Sequence, residues 1–115
     1  MDLFNLFRRS KKPDPDESVL IQLRKAGSNL SKPHEIEFFL YFPTEAIAEQ
    51  AASHIREEDF EVTVKQAAKG SDWLCFATKK MVPEFAALQE IRRKFDSLSS
   101  SLGGEYDGWG TPIEK

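Results

Sequence analysis

Apolar residues recur along this chain with two different periods, and the switches between them mark the elements. Val19, Leu20, Leu23 and Ala26 fall at one-face helical spacing. Asp14 is a good N-cap before them, Pro15 suits the first helical position, and Asp16 and Glu17 stand where the helix dipole favours anions. Arg24 and Lys25 occupy the last turn and Gly27 is a natural left-handed stop, so a helix is predicted between Asp14 and Gly27. After a loop over 28–33, Ile36, Phe38, Leu40 and Phe42 alternate onto one face of a strand over 34–42. Its other face carries Glu35, Glu37, Phe39 and Tyr41, polar at one end and aromatic at the other. Pro43 ends the strand and Thr44 caps a second helix. That helix has a narrow stripe of Ile47, Ala48, Ala51, Ala52 and Ile55, whose small members allow close approach to a sheet.

The period then returns to two. Phe60, Val62 and Val64 alternate with Glu61, Thr63 and Lys65, a turn with Gly70 covers 67–72, and a second strand covers 73–78. Lys79-Lys80 leads out of this hairpin. Pro83 and Glu84 open the longest helix, in which Phe85, Leu88, Ile91, Phe95, Leu98 and Leu102 step by three or four residues. Gly103-Gly104 stops it, and the tail over 105–112 supplies a short strand or an ordered loop. Without the first helix the order is β-α-β-β-α-β, which predicts a ferredoxin-like α+β sandwich with an extra N-terminal helix and a mostly antiparallel sheet.

With 115 residues, the chain suits one domain, here 14–115, preceded by a basic lead over 1–13. Forty per cent hydrophobic and 30% charged residues describe an ordinary globular protein. No apolar run reaches the roughly 20 residues of a spanning helix, and no secretory signal is visible, so cytoplasmic residence is the expectation. The net charge of −3 hides an asymmetry: residues 1–12 carry +3 and the remainder −6. An acidic body disfavours direct nucleic-acid binding and suits a basic protein partner. Leu3, Phe4, Leu6 and Phe7 in the lead read either as a weak lipid contact or as a terminus that docks or stays mobile. Cys75 is the sole cysteine. It excludes an intrachain disulfide and a multi-cysteine zinc site, and its apolar neighbours suggest an inert buried thiol.

Few residues suggest reaction chemistry. His34 and His54 lack a carboxylate at triad or metal-ligand spacing, and Glu57-Glu58-Asp59 lacks the pattern of a calcium loop. Arg92-Arg93-Lys94 reads as the wet face of a helix whose buried side is Leu88, Ile91 and Phe95. Gly108-Trp109-Gly110 lacks the Lys-Ser/Thr ending of a phosphate loop. The expectation is a non-enzyme without catalytic residues, metal or cofactor. The most specific local feature is Tyr106-Asp107-Gly108-Trp109-Gly110, which has two readings. In one, Trp109 anchors the tail on the core, Asp107 bonds turn amides and the glycines permit the bend. In the other, Tyr106, Asp107 and Trp109 form an exposed aromatic contact for a partner. Phe39 and Tyr41 are further contact candidates for a protein; together with Trp109 they also suit stacking of single-stranded RNA, less favoured on this acidic body.

The run Glu105 to Thr111 (EYDGWGT), the Met81-Val82-Pro83-Glu84 helix start, the Gly103-Gly104 stop and the Phe60-Glu61-Val62 strand start together resemble the ribonuclease E inhibitor family, regulator of ribonuclease activity B (RraB). The resemblance extends over roughly 14–111. It implies a small acidic cytoplasmic protein of ferredoxin-like fold that binds the regulatory C-terminal region of ribonuclease E and reduces its endonuclease action. No catalytic residue is implied. The best-known members continue into a strongly acidic tail, whereas this sequence ends at Lys115. The alternative function is an interaction domain of the same fold with an unrelated cytoplasmic partner.

Overall fold

The computed structural model of the chain describes residues 14–68 and 70–115; the basic lead over 1–13, with its two readings, lies outside them. The elements run α1 (Pro15–Lys25), β1 (His34–Phe42), α2 (Glu45–Arg56), β2 (Glu61–Gln66), β3 (Trp73–Met81), α3 (Phe85–Ser101) and β4 (Glu105–Gly110). The caps read from sequence are in place. The Asp14 carboxylate accepts from the backbone N–H groups of Asp16 and Glu17, and Thr44 Oγ1 accepts from that of Ile47. Gly27 takes a left-handed φ of 96° after α1.

The four strands form one sheet in the order β2-β3-β1-β4, and each neighbouring pair is antiparallel. Each βαβ crossover therefore skips a strand: β3 lies between β1 and β2, and β1 between β3 and β4. This is the expected ferredoxin-like arrangement with an extra N-terminal helix. The tail is a strand, not a loop. Strand β3 also extends to Met81, because Lys79 and Lys80 pair with Ile36 and Glu35 of the long strand β1. Phe60 falls just before β2 and is buried there in the core.

Antiparallel register puts residues of neighbouring strands on a shared face. Ile36, Phe38, Leu40 and Phe42 share theirs with Cys75, Ala77, Tyr106 and Trp109, and the helices cover it. Phe38, Phe60, Phe95 and Tyr106 form a chain of ring contacts with centroids 5.2–5.5 Å apart. The alanines of α2 do what their size allows: Ala48, Ala51 and Ala52 are fully buried against the sheet. Cys75 lies beneath them, its Sγ donating to the Ala48 carbonyl at 3.0 Å.

The two glycines after α3 do different work. Gly103 takes the left-handed turn, with φ of 72°. Gly104 leaves room, because a Cβ there would run into the Tyr41 carbonyl and the Phe42 ring. One turn earlier, the buried Ser99 hydroxyl has no hydrogen-bond partner. Two substitutions at this junction should therefore act in opposite directions. Gly104→Ala should cost about 1–3 kcal/mol by overpacking, while Ser99→Ala should be neutral or stabilising because it removes an unsatisfied polar group. Urea denaturation of both variants checks the two signs.

Candidate functional site

The signature run at 105–110 is built into the interior. Its anchor is Asp16, a first-turn acid of α1 that the fold buries completely. Oδ1 of Asp16 accepts from Trp109 Nε1 at 3.0 Å and Arg92 Nη2 at 2.9 Å. Oδ2 accepts from Gln89 Nε2 at 2.7 Å and Arg92 Nε at 3.0 Å. Gln89 Nε2 also donates to Asp14 Oδ1 at 3.0 Å. One carboxylate thus holds α1, α3 and β4 together, with a forked Arg contact and no free lone pair to leave unsatisfied.

Arg92 corrects the reading of Arg92-Arg93-Lys94 as a uniformly wet face. Helical spacing turns Gln89 and Arg92 toward α1, while Arg93 and Lys94 face solvent. The Arg92 guanidinium also lies 5.2 Å from the Tyr106 ring centroid. Its hydrogen bonds to Asp16, opposed in part by burial, raise its pKa above the ordinary value.

Trp109 and Tyr106 are buried, at 8% and 7% exposure. Neither ring forms an exposed platform, because the strand places both on the helix-covered face and the indole N–H is bound to Asp16. The bend the glycines permit is a β-bulge: pairing with β1 shifts register between Phe38 and Leu40, and Gly108 adopts a φ of 101°. Asp107 is exposed, and strand alternation puts it with Glu105 on the opposite sheet face.

That opposite face has no helix of the described residues over it. The Phe39 and Phe76 rings meet at a tilt of 57° with centroids 5.6 Å apart, Tyr41 sits across from Leu74, and Lys65 Nζ lies 5.1 Å over the Phe76 ring. Around these rings the register places Glu35, Glu37, Glu61 and Glu105, with Asp107 beside them. Among the strand residues, Lys65 and Lys80 are the cations on the same face. The result is a half-buried aromatic strip inside a predominantly acidic rim. The structure therefore separates the sequence candidates: Phe39, Tyr41 and Asp107 lie on the open face, and Tyr106 and Trp109 on the covered one.

The histidines have ordinary structural places. His34 is fully buried; its Nε2 is 2.6 Å from the Ser28 hydroxyl and its Nδ1 is 2.8 Å from the Lys32 carbonyl. The same Ser28 hydroxyl accepts from the Glu114 N–H at 3.0 Å, which ties the C-terminal segment to the loop before β1. His54 is exposed near the end of α2. Among the described residues, no group of three or more His, Cys, Asp or Glu side chains is placed to hold a metal ion. No helix of these residues is long and apolar enough to cross a membrane.

The fold defines a small α+β domain with one helix-covered sheet face. The profile of the family described as regulator of ribonuclease activity B (RraB) matches residues 14–111, and the chain belongs to that family of ribonuclease regulators. No curated protein matches the chain.

Two measurements test this geometry. Trp109→Phe keeps an aromatic in the core and removes one donor to the buried carboxylate, at an expected cost of about 1.5–3 kcal/mol. Asp16→Ala leaves Arg92 uncompensated and should cost about 3–5 kcal/mol. Chemical denaturation gives both values, and equal small losses for the two would contradict the arrangement. Alkaline pH is the second probe. Burial, reinforced by Glu49, pushes the Cys75 thiol up to about 12, and burial raises Tyr106 above its ordinary value as well. Unfolding returns both to about 8.5 and 10. Their contribution is therefore full below about pH 8.5 and is lost as pH rises toward the folded-state values. Thermal melts should fall above about pH 9, and less steeply in Cys75→Ala or Tyr106→Phe than in the wild type.

Proposed function

We propose that the chain is a non-catalytic regulator of RNA turnover that docks on the regulatory C-terminal region of ribonuclease E and reduces its endonuclease action. Membership of the ribonuclease-regulator family supports the general role. The observation that carries the docking is the acid-rimmed aromatic strip on the open sheet face. A strip of Phe39, Tyr41 and Phe76 supplies apolar contact area, and Glu35, Glu37, Glu61, Glu105 and Asp107 match a basic partner. Tyr106 and Trp109 contribute by holding β4, so that Glu105 and Asp107 keep their places on that face.

The same rim argues against the RNA-binding alternative. Stacking platforms for single strands are set in cationic grooves, whereas here carboxylates surround the rings and repel phosphate. Opposed charge across a protein interface acts mainly on association rate and specificity, so the complex should weaken as salt is raised.

Calorimetry of the chain with the C-terminal region of its cognate ribonuclease E tests the reading. A binary complex is expected at low salt, with affinity falling as ionic strength rises. The double variant Phe39→Ala/Tyr41→Ala should weaken it by about tenfold or more, since central aromatic truncations commonly cost over 1–2 kcal/mol. Heat-free injections at low salt would remove this partner. Capture of a different cytoplasmic protein by the same face would move the proposal to an unrelated partner.

A further inference from the structure

The helices that cover the sheet do not close over it. Helix α2 packs on β2, β3 and β1, whereas α3 packs on β4, β1 and α1. Between them runs an open groove of about 670 Å³. Its apolar lining is the half-buried Ile91 and Leu98 together with the edges of the buried Ile55, Phe60 and Phe95. Two helices on one sheet face ordinarily pack directly against each other, so the groove occupies the place where their ridges would have interlocked.

Its rim differs in charge from the rest of the body. Residues 14–115 hold 12 bases and 18 acids, a net of −6. The groove is lined by three cations, Lys79, Arg93 and Lys94, and two anions, Glu58 and Glu90. Arg93 and Lys94 stand along the α3 wall, 71% and 53% exposed; Arg93 is paired with Glu90 on the same helix, so both anions of the lining hold a cation and the lining carries a net charge of only +1. Lys79 lies over the Phe60 ring at 4.6 Å and donates to the Glu58 carbonyl at 3.1 Å. One ion pair, Lys94 to Glu58 at 3.6 Å, spans the mouth. Both partners are more than half exposed, so the pair holds the groove only weakly and Lys94 is free to exchange it for another carboxylate.

We propose that this groove is a docking site for one amphipathic helix of a partner protein, with acidic residues flanking its apolar stripe. The walls are helices whose backbone groups are bonded internally. They offer no free edge to an extended peptide, whereas a guest helix brings its own backbone bonds already made. From Ile91 to Ser101 the α3 wall is roughly 15 Å long at 1.5 Å per residue, which accommodates about three guest turns. Apolar guest residues at i, i+3, i+4 and i+7 meet the apolar lining, and flanking Glu or Asp meets Arg93, Lys94 and Lys79. This site lies on the opposite side of the sheet from the acidic face and selects the opposite charge. It is independent of the ribonuclease E reading.

The test uses two fluorescein-labelled model helices of about 14 residues, long enough for four turns. Both carry Leu at i, i+3, i+4 and i+7; one is flanked by Glu and the other by Lys. They are titrated by anisotropy at low salt against the full chain. The expected result is saturable binding of the Glu-flanked helix, about tenfold or more tighter than the Lys-flanked one. The preference should vanish in Arg93→Glu/Lys94→Glu, whose positions are exposed and leave the fold intact. Leu98→Asp should abolish binding of both peptides, and Phe39→Ala/Tyr41→Ala should leave binding unchanged. Absence of saturable binding, indifference to flanking charge, or loss only in the Phe39/Tyr41 variant would overturn the proposal. Self-association of the chain that is lost in Leu98→Asp would assign the groove to a second copy and overturn it as well.

Discussion

A single buried carboxylate organises this domain. Asp16 has no exposure to solvent and is held by Arg92, Gln89 and Trp109, so helices from both ends of the chain and the last strand meet at one point. Removing such a charge from water is costly, and only a full set of donors in good geometry offsets it. Each donor sits where backbone periodicity puts it: Gln89 and Arg92 three residues apart on α3, and Trp109 on the covered face of β4. The bulge at Gly108 then lets a six-residue strand bury both Tyr106 and Trp109 while Asp107 faces the other way. A strand at the sheet edge is easily lost, and here its indole N–H ties it to the first helix.

From that constraint follow two surfaces of different character. With β4 fixed beside β1, Glu105 and Asp107 complete an acidic rim around Phe39 and Tyr41. On the helical side, α1 takes up one flank of α3 through the Asp16 network. The other flank, facing α2, is left unfilled and carries Arg93 and Lys94. The domain thus presents an acidic aromatic face and a cationic apolar groove on opposite sides of a sheet. The chain belongs to a family of ribonuclease regulators.

Most of the architecture is legible in the sequence, because local signals agree with one another. Asp14 and Thr44 cap where they should, Pro43 and Gly103 terminate where they should, and the alternation in β1 assigns both faces of the sheet. The extension of β3 was less visible, since Lys79 and Lys80 belong to the strand only because β1 is long enough to pair with them. The site was legible as residues but not as contacts. Asp16 looks like any acid in a first turn, and Arg92 like any base in a charged run; nothing local records that they lie 76 positions apart and touch. A usable signal existed: Arg92 falls one residue from Ile91 and three from Phe95, at the margin of the apolar stripe. A charged residue there borders the interior.

Hydrogen exchange of the Trp109 indole N–H, followed by NMR beside the backbone amides of Phe38 and Leu40, tests the central claim most directly. If the buried carboxylate holds the last strand as described, the indole proton exchanges only when the whole domain opens, at the rate of those core amides. Rapid exchange of the indole while Phe38 and Leu40 stay protected would show that Asp16 does not hold it, and the account would fail.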